Sequence, residues 1–213
     1  MTPPRRSDPL WGFFRAALIW LPIWFLIWYS LAPALCQPIV WLSTWILDLT
    51  IPGVISETLG YGRELQFATT IAVATPNLPP GAIAEIVVPL NVLMYSWNLP
   101  LLLGLLFAAE DRFFSLSRMS ISYVALLPFQ TWGVVFDVLK TLTIQAGPEV
   151  AEKVGISGWG REAIALGYQF GYLMLPVIAA SSIWIALNRP LLTTLLTRHD
   201  LPQKPLDPPS DHT

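Results

Sequence analysis

Asp137 and Lys140 stand three residues apart as the only charges between Met119 and Ile144, a spacing that sets an acid and a base on one turn of a helix. Pairing of that kind lowers the cost of placing either charge close to a membrane boundary. Arg161 and Glu162 follow at the start of the next apolar run. One reading joins the four charges into a polar vestibule that holds part of a peptide substrate; the other makes Asp137 and Lys140 a structural ion pair. Gln130 and Gln169 lie inside apolar runs, where a side-chain amide either bonds helix to helix or serves a binding surface. Gly167 and Gly171 flank Tyr168-Gln169-Phe170 in a G-x-x-x-G spacing that strips bulk from one helix stripe and admits a neighbour, from this chain or from a partner.

Covalent catalysis has little material. Cys36 is the single cysteine, so an intramolecular disulfide is impossible. A thiolate nucleophile needs a base in reach, and both histidines, His199 and His212, lie near the end of the sequence. Cys36 acting with a partner's base is the remaining form of that idea. An intramembrane carboxylate dyad needs two facing acids, whereas Asp137 is alone in its span. His, Cys and carboxylates nowhere take up metal-ligand spacing. The expectation is a chain with no catalytic residues, no metal and no cofactor.

The elements that position these residues follow from the distribution of charge. Of 213 residues, 54% are hydrophobic and 12% charged, about half the charged share of a soluble domain, and mean hydropathy is +0.56. A net charge of -2 supplies no basic footprint, which excludes nucleic acid as a partner. About 20 apolar residues cross a hydrocarbon core, and four windows qualify. The first lies between Arg15 and Asp48; Pro33 and Pro38 divide it into a spanning helix and a shorter interfacial one, on which Trp41 and Trp45 suit a membrane boundary. The second begins near Val92 and ends before Glu110, the third runs from Met119 to about Ile144, and the fourth from Ala163 to Asn188. The N-terminal run is too long for a signal peptide core and reads as a retained anchor, with cleavage after Ala34 as the alternative.

The fold class expected is therefore an all-α membrane bundle of four helices with a small extramembrane β-sheet of about three strands between helices 1 and 2. Leu65, Phe67, Thr69, Ile71 and Val73 alternate with Gln66, Ala68, Thr70 and Ala72 in the two-residue period of a half-buried strand. Gly60-Tyr61-Gly62 is a turn after a first strand from Val54 to Leu59, and Pro76 to Gly81 lead to a third from Ala82 to Val88. The sheet is a compact loop domain or a docking edge for another chain. Domain limits are 1–50 for the first two helices, 51–91 for the strands, 92–190 for three further spans, and 191–213 for a Pro-rich disordered tail.

Of the basic residues, Arg5, Arg6, Arg15, Arg112, Arg118, Arg189, Arg198 and Lys204 fall on one side of this arrangement and Arg63, Lys140, Lys153 and Arg161 on the other. The majority side is cytoplasmic, which puts both termini there and the strands outside.

Two segments, Pro128-Phe129-Gln130-Thr131-Trp132-Gly133-Val134-Val135-Phe136 and Ser157-Gly158-Trp159-Gly160-Arg161-Glu162-Ala163-Ile164-Ala165-Leu166-Gly167-Tyr168-Gln169-Phe170-Gly171-Tyr172, carry a likeness. Together with the Trp- and Pro-rich first span, the strands and Asn91 to Pro100, the chain resembles the exosortase H-associated membrane proteins of Gram-negative bacteria. The resemblance implies a multi-pass protein of the bacterial inner membrane that accompanies exosortase H, a transpeptidase-like enzyme for secreted proteins bearing an IPTL-type C-terminal sorting signal. Exosortases use Cys, Arg and His in their spans; with no His there, this chain resembles the associate and not the enzyme. The implied partners are exosortase H or its sorting-signal substrates, besides the lipid bilayer. Its rival is a small transporter or flippase-like protein in which Gln130, Gln169 and Tyr168 line a polar path.

Overall fold

Apolar, mostly large side chains and no charge beyond Arg15 carry the first helix, α1 (Pro9–Leu35), through Pro22 and Pro33 before it breaks at Cys36; α2 (Gln37–Thr50) continues with Pro38 in its first turn, where a missing N–H costs nothing. The computed structural model describes residues 9–61, 63–74, 83–109, 116–156, 158–189 and 193. The division expected at Pro33 and Pro38 is thus found, with Trp41 and Trp45 exposed on α2. Proline at 33 also deprives the Tyr29 carbonyl of its helical donor. Arg63 supplies the substitute: its Nη2 donates to Tyr29 O at 3.2 Å, and the guanidinium lies 3.6 Å above the Tyr29 ring.

Three antiparallel strands follow in the order β1 (Ile55–Tyr61), β2 (Glu64–Ala74), β3 (Ile83–Asn91). Leu65, Phe67, Thr69 and Ile71 are buried on one face of β2, as the alternation requires, and Phe67 sits between Thr58 of β1 and Val88 of β3 in register. The register slips between Ile55 and Glu57 on β1 and between Ala68 and Ala72 on β2. Helices grip the sheet from below. Besides Arg63 at the β1–β2 turn, Thr44 and Thr58 hydroxyls lie 3.1 Å apart across α2 and β1, and Lys153 Nζ donates to Ala72 O at 2.7 Å. Of the expected connections, Gly62, Pro76 to Gly81 and Ala82 lie outside the described residues.

After the short α3 (Leu93–Ser96), the chain forms α4 (Asn98–Ala109), α5 (Leu116–Lys140) with a π-helical turn at Thr141–Gln145, α6 (Pro148–Val154), α7 (Trp159–Gln169), a second π-helical turn at Phe170–Met174, and α8 (Leu175–Leu187). Among the described residues, three continuous helices are long and apolar enough to cross a membrane: Leu10–Leu35, Leu116–Gln145 and Trp159–Leu187. The second expected span is found where it was placed, from Leu93 to Ala109 just beyond β3, but it is shorter than the other three. Glu110, Arg112, the first eight residues, Ser157 and all of the expected tail except Thr193 lie outside the described residues.

The described residues form two cores. Trp24, Trp28, Leu99, Leu102, Leu106, Leu126 and Ala180 pack α1, α4, α5 and α8 together. Above them Ile39, Leu47, Phe67, Val88, Tyr95, Val134, Val138 and Leu142 join α2, the sheet, α3 and the upper half of α5. The candidate site lies at and just above the level where the two meet.

Candidate functional site

One turn of α5 presents Asp137 and Lys140, which pair at 2.6 Å with side chains 19% and 15% exposed. Lys140 Nζ also sits 3.9 Å above the centre of the Tyr168 ring, a contact whose strength rises as water is removed. Tyr168 stacks on Tyr172 at 5.9 Å, and Tyr172 meets the edge of Tyr95 at 6.4 Å. The Tyr95 hydroxyl is buried and has no hydrogen-bond partner among the described residues, with the Asp137 carboxylate and the Tyr168 hydroxyl as its polar neighbours. An ion pair, a cation over a ring and a phenol therefore share one semi-buried cluster at the junction of α3, α5 and α7.

Glycines make the junction possible. A Cβ on Gly133 would run into the Tyr95 ring, one on Gly167 into the Phe136 ring, and one on Gly171 would come within 2.9 Å of Trp132 Cδ1. Phe136 and Trp132 stack at 4.5 Å, and Trp132 Nε1 donates to Gly167 O at 3.0 Å. The G-x-x-x-G stripe is thus occupied by aromatic side chains of the chain's own α5.

Lower in the bundle, Gln130 is 1% exposed and its Nε2 donates to Asn98 Oδ1 at 2.7 Å; Gln130 Oε1, Asn98 Nδ2 and Thr131 Oγ1 have no partner among the described residues. Gln169 points elsewhere, exposed on α7, and no hydrogen bond among the described residues links it to Gln130. Arg161 and Glu162 are likewise exposed, in the first turn of α7, and among the described residues no ion pair joins either to Asp137 or Lys140. The structure brings together the charges of α5 and leaves those of α7 apart. Sequence reasoning missed Asn98, Tyr95 and the clamp of Trp132 and Phe136. An Asn at the head of an apolar helix was the one local signal for the first.

Cys36 is buried, with Ser96 Oγ 3.6 Å from its sulfur, and no group of three potential metal ligands occurs among the described residues. Residues 7–191 match the family described as exosortase H-associated membrane protein. The chain belongs to that family. No curated protein and no solved structure matches it. Within this exosortase H-associated membrane protein, the two segments that carried the sequence likeness turn out to be packed on each other: Trp132 and Phe136 from the first fill the stripe of Gly167 and Gly171 in the second.

Proposed function

We propose that this chain is a non-catalytic accessory protein of the bacterial inner membrane that binds exosortase H or its substrates and assists the sorting of proteins with IPTL-type C-terminal signals. The family match over residues 7–191 carries the reading. In support, the interior polar groups engage one another: Gln130 with Asn98, Asp137 with Lys140, Lys140 with Tyr168. The first and the last of these join neighbouring helices. Gln130 is enclosed while Gln169 faces outward, which is poor material for the shared polar path that a transporter would need.

The same proposal makes α4 the fourth span. Its packing along α1, with Leu21 against Gly104 and Phe107 between Trp20 and Trp24, supports a return through the same layer; on this reading both termini are cytoplasmic and the sheet is outside. Co-purification in mild detergent is the test of the association. Tagged protein should bring down exosortase H or a signal-bearing substrate, and deletion should impair sorting; repeated failure of both would remove the proposal.

A further inference from the structure

The sheet has two edges that are not alike. β3 carries Pro89, a residue that removes a ladder donor and blunts an edge. β1, Ile-Ser-Glu-Thr-Leu-Gly-Tyr, has neither proline nor lysine, and its outer side pairs with no strand among the described residues. Beside its first half lies a groove of about 560 Å³ whose opposite wall is the α2 face formed by Trp41, Thr44, Trp45 and Asp48. These four recur at the spacing of one helix face. The Thr44–Thr58 contact closes the groove at its floor.

Charge gives the groove a preference. Asp48 and Glu57 both line it, both are exposed, and no ion pair engages either among the described residues. Among the described residues, no basic side chain lines the groove. Two carboxylates facing the same space also place it in water, since hydrocarbon would expel them. Trp41 and Trp45, 69% and 62% exposed, offer flat apolar surface of the kind that anchors an interface.

We propose that this groove receives an extended peptide segment of another protein, added as a fourth strand to the outer edge of β1, with a lysine or arginine side chain set against Asp48 and Glu57. Strand addition supplies main-chain hydrogen bonds whatever the sequence, and the acidic, Trp-lined wall selects among side chains. The proposal goes beyond the association with exosortase H and is measured on this chain alone, so either can fail without the other.

The test uses the full chain in detergent micelles and fluorescein-labelled octapeptides that alternate valine and threonine around two central lysines. Anisotropy should report binding at least tenfold tighter than for the same peptide with central glutamates. Of two lysine peptides N-methylated at alternate residues in opposite phases, one should lose binding and the other keep it, because only one phase faces the β1 edge. The variant Asp48→Asn/Glu57→Gln should erase the preference for lysine. No binding, equal binding of lysine and glutamate peptides, indifference to methylation phase, or an unchanged preference in the double variant would each overturn the proposal.

Discussion

The ring of Phe136 occupies the space that any side chain on Gly167 would need. Gly167→Ala should therefore destabilise the protein by about 1–3 kcal/mol, the usual range for overpacking, read as a shift in thermal or denaturant unfolding in micelles. Combining it with Phe136→Leu should recover most of the loss. A Gly167→Ala protein as stable as the parent would show that α7 does not sit on α5 as described. Gly171→Ala should cost less, since its nearest obstacle is the 2.9 Å approach to Trp132.

Gln130→Leu leaves Asn98 buried and without its partner, and a loss of about 1–2 kcal/mol is expected for an interhelical bond of this type. The double variant Gln130→Leu/Asn98→Leu should be closer to the parent than either single change, because no polar group is then stranded. Additive losses in a double-mutant cycle would show that the two amides do not act as a pair.

Lys140→Met removes the counter-ion of Asp137 and the cation above Tyr168 together. A cost of about 1–3 kcal/mol is expected, largely recovered when Asp137→Asn is added. Tyr95→Phe should be neutral or slightly stabilising, since it deletes a buried hydroxyl that has no hydrogen-bond partner among the described residues. If Tyr95→Phe instead impaired sorting while leaving unfolding unchanged, the hydroxyl would belong to a ligand site.

Much of this architecture could be read along the chain wherever the signal was local. The alternation from Leu65 to Ile71 reports which face is buried, since strand side chains repeat every two residues. Pro33 and Pro38 mark the break near Cys36 for a reason internal to the backbone, and Asp137 and Lys140 meet because helical neighbours three apart must. The rest depends on how separate helices register. Nothing near Gln130 names Asn98, 32 positions away, as its partner. Nothing in the residues flanking Gly167 names Phe136 as the side chain that fills its notch, and the exposure of Arg161 and Glu162 is decided by which face α7 turns to α5. The start of the second span near Val92 was legible too, and the apolar helix found there, Leu93–Ala109, is shorter than the other three.

Sidedness can be read with cysteine labels in a Cys36→Ala background. If α4 crosses, Ser56→Cys should react with an impermeant maleimide in spheroplasts, while Ser7→Cys and Ser115→Cys react only after lysis. Reaction of Ser115→Cys alongside Ser56→Cys would mean that α4 turns back without crossing, leaving three spans.

Pro33 and Arg63 act on the same carbonyl, which makes a coupling measurable. Arg63→Ala should cost about 1 kcal/mol, and less in a Pro33→Ala protein, where residue 33 can donate to Tyr29 O itself. Equal losses in the two backgrounds would separate the guanidinium from the helix.

The sheet is fastened at its hairpin tip to α1 by Arg63, along β1 to α2 by Thr58, and near the end of β2 to α6 by Ala72. Three such anchor points work as a tripod mount does in optics, taking up tilt, roll and lift together. A peptide seated on the β1 edge, as proposed, would then keep a set position and heading relative to α1, α2 and α6.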